Sequence, residues 1–261
     1  FYTLGDYTYR TQFPPYVFVD LSDLQLITSD VEEHSISLDP SFESVTNLTP
    51  QSSMLDNAGI PGTDIEYDIN GVLRSIENPD MGAVEFTGIT SPLAGNYSIG
   101  GGGDYESIDA AVSDLHGHGV SDSVIFNILP GTYEEQVEIY QINGSSSTNR
   151  IIFQSSSGNS ADVILESLAT NSFNNYILQL KGADYITLRN MTFESGTAYY
   201  ARLLYITGGA IDVHINNNVF TGYENSSASN DRQLIYTTGI VNDLNITGNA
   251  LQQGSTAIHL D

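Results

Sequence analysis

Oxygen-bearing side chains with the spacing of calcium ligands surround one glycine turn in the first third of the chain. They are Glu66, Asp68, Asn70 and Glu77. Carboxylate and amide oxygens bind Ca²⁺, and the spacing approximates an EF-hand loop, although the first position of that loop should be Asp. The flanks lack the two helices of an EF-hand, and acids alternate with apolar residues over 64–69 as in a half-buried strand. The pattern therefore favours a strand and a turn, with calcium as the alternative.

Tyrosines in turn-like sequence are the candidates for contact with sugars. The chain has 16 tyrosines, and a tyrosine ring offers an apolar surface together with a polar hydroxyl. We single out Tyr199, Tyr200 and Tyr223 as residues that could stack on sugar rings. The alternative is that these rings only cover the flanks of the fold.

The arginines and histidines form no catalytic pattern in the sequence. Arg189, Arg202 and Arg232 have no cluster of acids beside them, and lone arginines are usually surface ion-pair partners. His116 and His118 lie in a glycine-rich stretch, which is typical of a solvated loop. No Ser-His-Asp spacing is recognisable.

The elements that would position these residues are almost all short strands. The one helical pattern is Tyr105 to Leu115, where Ile108, Ala111, Val112 and Leu115 recur at helical spacing. Strand patterns separated by turn residues follow at 124–128, 136–140, 151–154 and 163–166.

The sequence repeats itself from about residue 176. Residues 185–193 align with 212–220 and then with 243–251, at offsets of 27 (212 − 185) and 31 (243 − 212) residues. A second strand repeats in step at 178–180, 204–206 and 235–237. This period, with several strands per repeat, is typical of a solenoid. Asn218 and Asn249 recur at one corner, which predicts a structural amide ladder, with sugar binding as the alternative.

Composition excludes two classes of partner. The 32 acidic and 7 basic residues give a formal charge of −25, which repels nucleic acids and anionic membranes. The chain has no cysteine, so it has no disulfide framework and no thiolate metal site. It also contains no apolar run long enough to predict insertion into a membrane.

Two segments resemble a known family. Residues 103–112, followed by 126–137 with Pro130-Gly131-Thr132-Tyr133-Glu134-Glu135, resemble the opening of pectin-methylesterase-like and pectate-lyase-like right-handed parallel β-helices. The resemblance covers about residues 98–261. It implies an all-β solenoid whose open end is covered by a short N-terminal capping helix, which protects the strand edges.

The first third resembles a different part of such proteins. Residues 48–59, 68–74 and 80–85 resemble the C-terminal closure of secreted β-helix domains in large Bacteroidota surface proteins, which are often type IX secretion substrates. We therefore predict the closing part of an upstream domain at 1–87, a linker at 88–97, and the cap and first coils of a truncated β-helix at 98–261. The resemblance implies a secreted or cell-surface location, with the secretion machinery as a partner during export.

The resemblance to pectin methylesterases also indicates where a catalytic acid pair should lie. Such an enzyme needs one carboxylate as nucleophile and one as general acid/base. The matching segments, 220–225 and 239–243, carry Asn225 and Asn242 at the two acid positions. Glu224 replaces a glutamine that stabilises the oxyanion, and Asp243 is one residue out of place, which turns it to the other face of a strand. Glu224 and Asp243 are the weak catalytic alternatives.

We therefore expect a non-catalytic structural or adhesive segment of a large secreted cell-surface protein that contacts polysaccharide. The alternative is a carbohydrate-active enzyme, an esterase or a lyase, whose site lies outside this chain or is incompletely matched. No cofactor is expected, apart from the calcium alternative.

Overall fold

The structure is a computed structural model. It describes residues 9–10, 17–18, 40, 42–44, 46–52, 55–62, 64–88, 91–167, 169, 172, 174–196, 200, 202–223, 232–239 and 241–260. Tyr199, Glu224 and Asn225 lie outside these residues. Within them, no helix has the length and apolar character needed to cross a bilayer.

Two short strands near the start of the chain, β1 (Tyr9–Arg10) and β2 (Val17–Phe18), pair antiparallel and form a sheet of their own.

A strand and a helix begin the solenoid. Strand β3 (Leu93–Ile99) then starts inside the predicted linker at 88–97, ahead of the predicted start at 98. Gly95 and a register shift at Leu93 interrupt its alternation, so the sequence pattern there did not indicate a strand. The division of the chain into domains stays a prediction.

Helix α1 (Ile108–His118) follows and was predicted about one turn too early. Ser107 ends the preceding extended segment, and its hydroxyl accepts the N–H of Ala110, so the helix begins there and not at Tyr105. The helix continues to His118 before Gly119, so His116 and His118 are helical. The prediction that they lie in a solvated loop is wrong, because both are half-buried residues of the last helical turn.

Fifteen further strands wind into five coils of three strands each. They are β4 (Val120–Ile128), β5 (Gly131–Glu134), β6 (Val137–Tyr140), β7 (Ile151–Ser155), β8 (Val163–Ser167), β9 (Leu178–Lys181), β10 (Ile186–Arg189), β11 (Thr192–Ser195), β12 (Leu204–Thr207), β13 (His214–Asn216), β14 (Val219–Thr221), β15 (Gln233–Thr237), β16 (Asn245–Thr247), β17 (Ala250–Gln252) and β18 (Thr256–Leu260). A 3₁₀ turn, Ser160–Asp162, precedes β8.

Each coil adds one strand to each of three parallel sheets. Sheet 1 contains β3, β4, β7, β10, β13 and β16; sheet 2 contains β5, β8, β11, β14 and β17; sheet 3 contains β6, β9, β12, β15 and β18. The prediction of an all-β parallel solenoid with one capping helix is confirmed.

The core consists of apolar side chains stacked in register from coil to coil. Phe126 stacks on Phe153 in sheet 1, and Phe193 stacks on Phe220 in sheet 2, each pair with ring centroids 4.8 Å apart. All four rings are at most 1% exposed. Burying each side chain stabilises the fold by about 1.5–3 kcal/mol.

The corner between sheets 1 and 2 is a two-residue turn in four of the five coils. These turns are 129–130, 190–191, 217–218 and 248–249. In the last three, the first residue has a left-handed backbone: Asn190 at φ 56°, Asn217 at φ 57° and Gly248 at φ 68°. A Cβ at Gly248 would lie 2.2 Å from Asn217 Oδ1, so a larger residue at this left-handed position would have to displace the Asn217 side chain.

The predicted asparagine ladder occupies the second residue of these turns. Asn218 Oδ1 accepts the N–H of Met191 at 3.0 Å, and Asn218 N–H donates to Asn249 Oδ1 at 2.8 Å. Asn218 Nδ2 also donates to the carbonyl of Leu188 at 2.9 Å. The ladder therefore connects successive coils, as the structural interpretation predicted.

Candidate functional site

The outward side chains of sheet 3 bring polar, aromatic and basic groups together, and we name them the sheet-3 face. Parallel register places equivalent residues of successive coils in columns, about 4.8 Å apart. One column contains Glu138, Gln179, Tyr205, Tyr236 and His259. Their neighbours along β6, β12 and β15 are buried, and all of these except Thr237 are hydrophobic.

Aromatic rings in this column stack on one another. The centroids of Tyr205 and Tyr236 are 5.2 Å apart with planes inclined by 28°, and His259 follows at 5.3 Å from Tyr236. Tyr205 shares a hydrogen bond of 3.0 Å with the hydroxyl of Thr238, which donates in turn to Thr207. Because Tyr205 and Tyr236 cover each other's faces, this part of the column presents ring edges and hydroxyl groups outward.

Arg202 lies against this stack. Its guanidinium carbon is 4.4 Å from the ring centroid of Tyr236 and 5.8 Å from that of Tyr205. Its Nε donates to Oε1 of Gln233 at 2.9 Å, and Gln233 is only 2% exposed. A cation over an aromatic face and a buried amide partner together fix the guanidinium in place.

Basic residues are concentrated here in a strongly acidic chain. Lys181, the single lysine, and Arg202 belong to the sheet-3 face, and Arg232 directly precedes β15. Arg232 is 6% exposed, and within the described part of the chain its Nε and Nη1 have no hydrogen-bond partner. Three of the seven basic residues therefore lie on or beside one face of a protein with formal charge −25.

A carboxylate bound by two tyrosines lies at the cap end of the face. Glu138 Oε2 accepts the hydroxyl of Tyr140 at 2.5 Å, and Glu138 Oε1 accepts the hydroxyl of Tyr176. Burial is the main cause that raises the pKa of Tyr176 well above its ordinary value, and the hydrogen bond to Glu138 raises it further. The Tyr176 phenol is therefore a neutral donor to Glu138 at neutral pH.

Of the residues at the predicted esterase positions, the two that the structure describes, Asn242 and Asp243, are not on this face. Asn242 precedes sheet 1, where its N–H donates to the carbonyl of Ala210 at 3.0 Å. Asp243 follows it in a left-handed turn, at φ 55°, with an exposed side chain. Glu224 and Asn225 fall outside the described residues. Of the described residues in sheet 3, Glu138 alone contributes a carboxylate to the face, so the structure brings no acid pair together there.

Two of the predicted sugar-stacking tyrosines, Tyr200 and Tyr223, belong to the corners between sheets 2 and 3, and Tyr199 lies outside the described residues. Tyr200 is half-buried, and Tyr223, two residues after β14, is 42% exposed. Tyr205 and Tyr236 were not among the predicted residues, although the aligned repeats place both at the same position. Their role depends on the stacking of the coils, which sequence spacing alone did not show.

Two of the arginines expected as ion-pair partners donate hydrogen bonds to glutamines. Arg189, on the outer face of sheet 1, donates its Nε to Oε1 of Gln154 at 2.6 Å. The arrangement matches that of Arg202 and Gln233 on sheet 3. Arg189 has no aromatic ring under its guanidinium among the described residues.

The residues of the predicted calcium loop do not converge. Asp68 Oδ1 accepts the N–H groups of Asn70 at 2.7 Å and Val72 at 2.8 Å, and its Oδ2 accepts the N–H of Glu85 at 3.0 Å. The hydrogen bond from Glu85 is the main cause that lowers the pKa of Asp68. Glu66 and Glu77 are exposed. In the part of the chain that the structure describes, no three acids or histidines are grouped as metal ligands; calcium binding stays a prediction.

Comparison with known proteins finds a remote structural similarity. No protein-family model matches the chain, and no curated protein matches its sequence. Two crystal structures of the pectin methylesterase from Aspergillus niger, deglycosylated and penultimately deglycosylated, are similar to it at 18% identity and a TM-score of 0.39. The matches cover 59% of this chain and 50% of each structure, so the chain spans about half their length. A similarity of this size carries no conclusion about activity.

Proposed function

We propose that this chain is a non-catalytic structural and adhesive segment of a secreted cell-surface protein, and that its sheet-3 face contacts polysaccharide. The observation that carries the proposal is the fixed guanidinium of Arg202, held by buried Gln233 and lying over Tyr236. A side chain that is ordered before binding loses little conformational entropy when the ligand arrives. Such pre-organisation is typical of a binding site.

The repetition of the face suits a linear polymer. Tyr205, Tyr236 and His259 supply two hydroxyl groups and an imidazole to successive coils of the column, beyond buried Gln179. A glycan that lies along the solenoid axis would meet these groups in turn and form several weak contacts at once. Several weak contacts along one chain raise affinity through effective concentration.

Charge favours a glycan with carboxylate groups. Most of the surface repels anions, because acids outnumber basic residues 32 to 7. Lys181 and Arg202 bring two positive charges to the sheet-3 face. We therefore expect pectin or alginate to bind there more tightly than a neutral glucan, with an affinity that salt reduces.

Affinity electrophoresis in gels that contain pectin, alginate or a neutral glucan tests the proposal. We expect one of the acidic polymers to retard the protein and Arg202→Gln to abolish most of the retardation. Arg189→Gln is the matched control, because Arg189 holds a glutamine in the same way on sheet 1. Equal retardation of both variants, or none of the wild type, would overturn the proposal.

Chemical labelling of Lys181 locates the contact independently. Since it is the single lysine, an amine-acylating reagent modifies only Lys181 and the N-terminus. We expect the bound polymer to slow acylation of Lys181 and to leave the N-terminal amine unchanged. Equal rates with and without polymer would place any binding elsewhere.

Glu138 supports an enzymatic alternative. It lies on the same face as Lys181 and accepts hydroxyl groups from Tyr140 and Tyr176, so it could exchange protons with a bound sugar. Incubation with pectin or alginate, followed by assays for methanol and unsaturated sugar, tests this alternative. Turnover that Glu138→Gln abolishes would favour the enzyme; no turnover would leave the adhesive function.

The surface location and type IX export are proposed from the resemblance of residues 48–59, 68–74 and 80–85 to secreted β-helix proteins. The reading frame on both sides of this chain tests this part. A C-terminal sorting signal in the parent protein would support export, and fractionation of the parent protein into the cytosol would contradict it.

A further inference from the structure

His116, in the last turn of α1, is hydrogen-bonded to the strand that begins the sheet-3 face. Its Nε2 accepts the backbone N–H of Tyr140 at 3.0 Å, and the two rings lie 5.3 Å apart. An imidazole nitrogen accepts a hydrogen bond only when it carries no proton. The contact therefore requires a neutral imidazole with its proton on Nδ1.

Tyr140 connects this contact to the candidate site. Its hydroxyl donates to Glu138, which also binds Tyr176, and Lys181 Nζ lies 5.3 Å from its ring centroid. Tyr140 is thus the residue through which the end of the helix meets the face.

Charged groups around His116 act in opposite directions. Burial lowers the pKa of His116 to about 4, while Asp109 on α1 and Glu138 on β6 favour the protonated ring. At the end of the helix, His118 Nδ1 is 2.8 Å from Asp114. Strand β3, which also packs on α1, contributes Tyr97 as its titratable group, and Lys181 approaches from the second coil.

We propose that His116 makes the contact between the cap helix and the sheet-3 face acid-sensitive. A protonated ring presents N–H groups at both nitrogens, so Nε2 then opposes the N–H of Tyr140 and both donors lose their partner. The end of α1 separates from β6, and the contacts of Tyr140 with Glu138 loosen. A further consequence, that acid weakens glycan binding at the first coil, rests on the function proposed above.

Nuclear magnetic resonance of the isotope-labelled chain tests the contact without any glycan. At about pH 6 we expect a scalar coupling across the hydrogen bond between the Tyr140 amide nitrogen and His116 Nε2. The coupling should disappear as His116 titrates, with a midpoint at about 4. A protonated Nε2 at neutral pH, or a Tyr140 amide signal that does not follow the titration, would overturn the proposal.

Gel retardation by pectin or alginate at about pH 6 and about pH 3 tests the consequence. The wild type should lose more retardation on acidification than His116→Gln, whose amide oxygen can accept the Tyr140 N–H at both pH values. His118→Gln is the control on the same helix and should behave as the wild type. Equal losses in all three proteins would overturn the coupling, whereas failure of retardation at neutral pH would contradict only the glycan function.

Discussion

Arg202 lies over the ring of Tyr236, and that ring stacks in turn on Tyr205 one coil earlier. Three side chains from two adjacent coils thus form one group on the sheet-3 face. Substitutions in this group should therefore affect both stability and ligand binding, because the residues that would contact a ligand also contact one another across the coil boundary.

Removal of the Tyr236 ring should destabilise the solenoid. Tyr236→Leu loses the stack on Tyr205 and the contact with Arg202, and we expect the free energy of unfolding to fall by about 1–3 kcal/mol. Urea unfolding followed by circular dichroism measures this. Tyr223→Leu, at a more exposed tyrosine, is the control and should change the unfolding free energy little. Equal effects of both substitutions would contradict the role of the stack.

Glu135 should stabilise the cap helix from a distance of 27 residues. Its carboxylate accepts the N–H groups of Ile108 at 3.1 Å and Asp109 at 2.8 Å, which are unpaired groups of the first helical turn. A negative charge there also favours the helix dipole. We expect Glu135→Gln to lower the unfolding free energy by about 1 kcal/mol in thermal and urea unfolding. An unchanged stability would show that Ser107 suffices as the cap.

Three stacked glutamates on sheet 2 should destabilise the native state. Glu134, Glu166 and Glu194 are in register on successive coils, and like charges directly opposite one another repel. Glu166→Gln removes the central charge, so we expect a gain of a few tenths to about 1 kcal/mol that shrinks as salt is added. Glu106→Gln, at an exposed glutamate outside this column, is the control for the change in net charge. Destabilisation by Glu166→Gln would instead indicate a bound cation.

His116 should make stability fall with acidification. The folded-state pKa is lowered to about 4 from an ordinary value of 6.5, so below pH 6.5 the unfolded chain binds a proton that the folded protein does not. The loss grows as the pH falls from about 6.5 to 4 and then levels off, at up to about 3 kcal/mol. Urea unfolding of the wild type and of His116→Gln at several pH values measures this loss, as the change with pH in the difference between their free energies of unfolding. Parallel pH profiles would contradict the buried neutral imidazole.

Calcium removal tests the predicted loop. Because backbone N–H groups already bind the carboxylate of Asp68, we expect EDTA to leave the midpoint of thermal unfolding unchanged. Asp68→Asn should lower that midpoint, since an amide accepts these hydrogen bonds less strongly than a carboxylate. The lowered pKa of Asp68 means that its contribution persists at neutral pH and is lost as the pH falls through the folded-state value. A midpoint that falls with EDTA and recovers with Ca²⁺ would support the predicted calcium site.

Features set by local sequence were predictable, and features set by stacking were not. The repeat offsets located strands in both sheets 1 and 3, and Asn218 indicated the ladder, because such signals lie within one coil or one period. The helix start depends on Ser107 together with distant Glu135, and the burial of His116 depends on Tyr140. The sheet-3 face was missed because the contacts of Tyr236 with Arg202 and His259 form only when the coils stack.

The coils differ in length mainly at the two corners that flank sheet 3. The turn between sheets 1 and 2 is fixed at two residues in four coils, whereas the connection from sheet 2 to sheet 3 varies from two residues (135–136) to eleven (222–232). A chain built in this way can gain or lose residues at the second corner without moving any strand out of register. The border of the sheet-3 face is therefore where new ligand specificities can arise at the least cost to the fold.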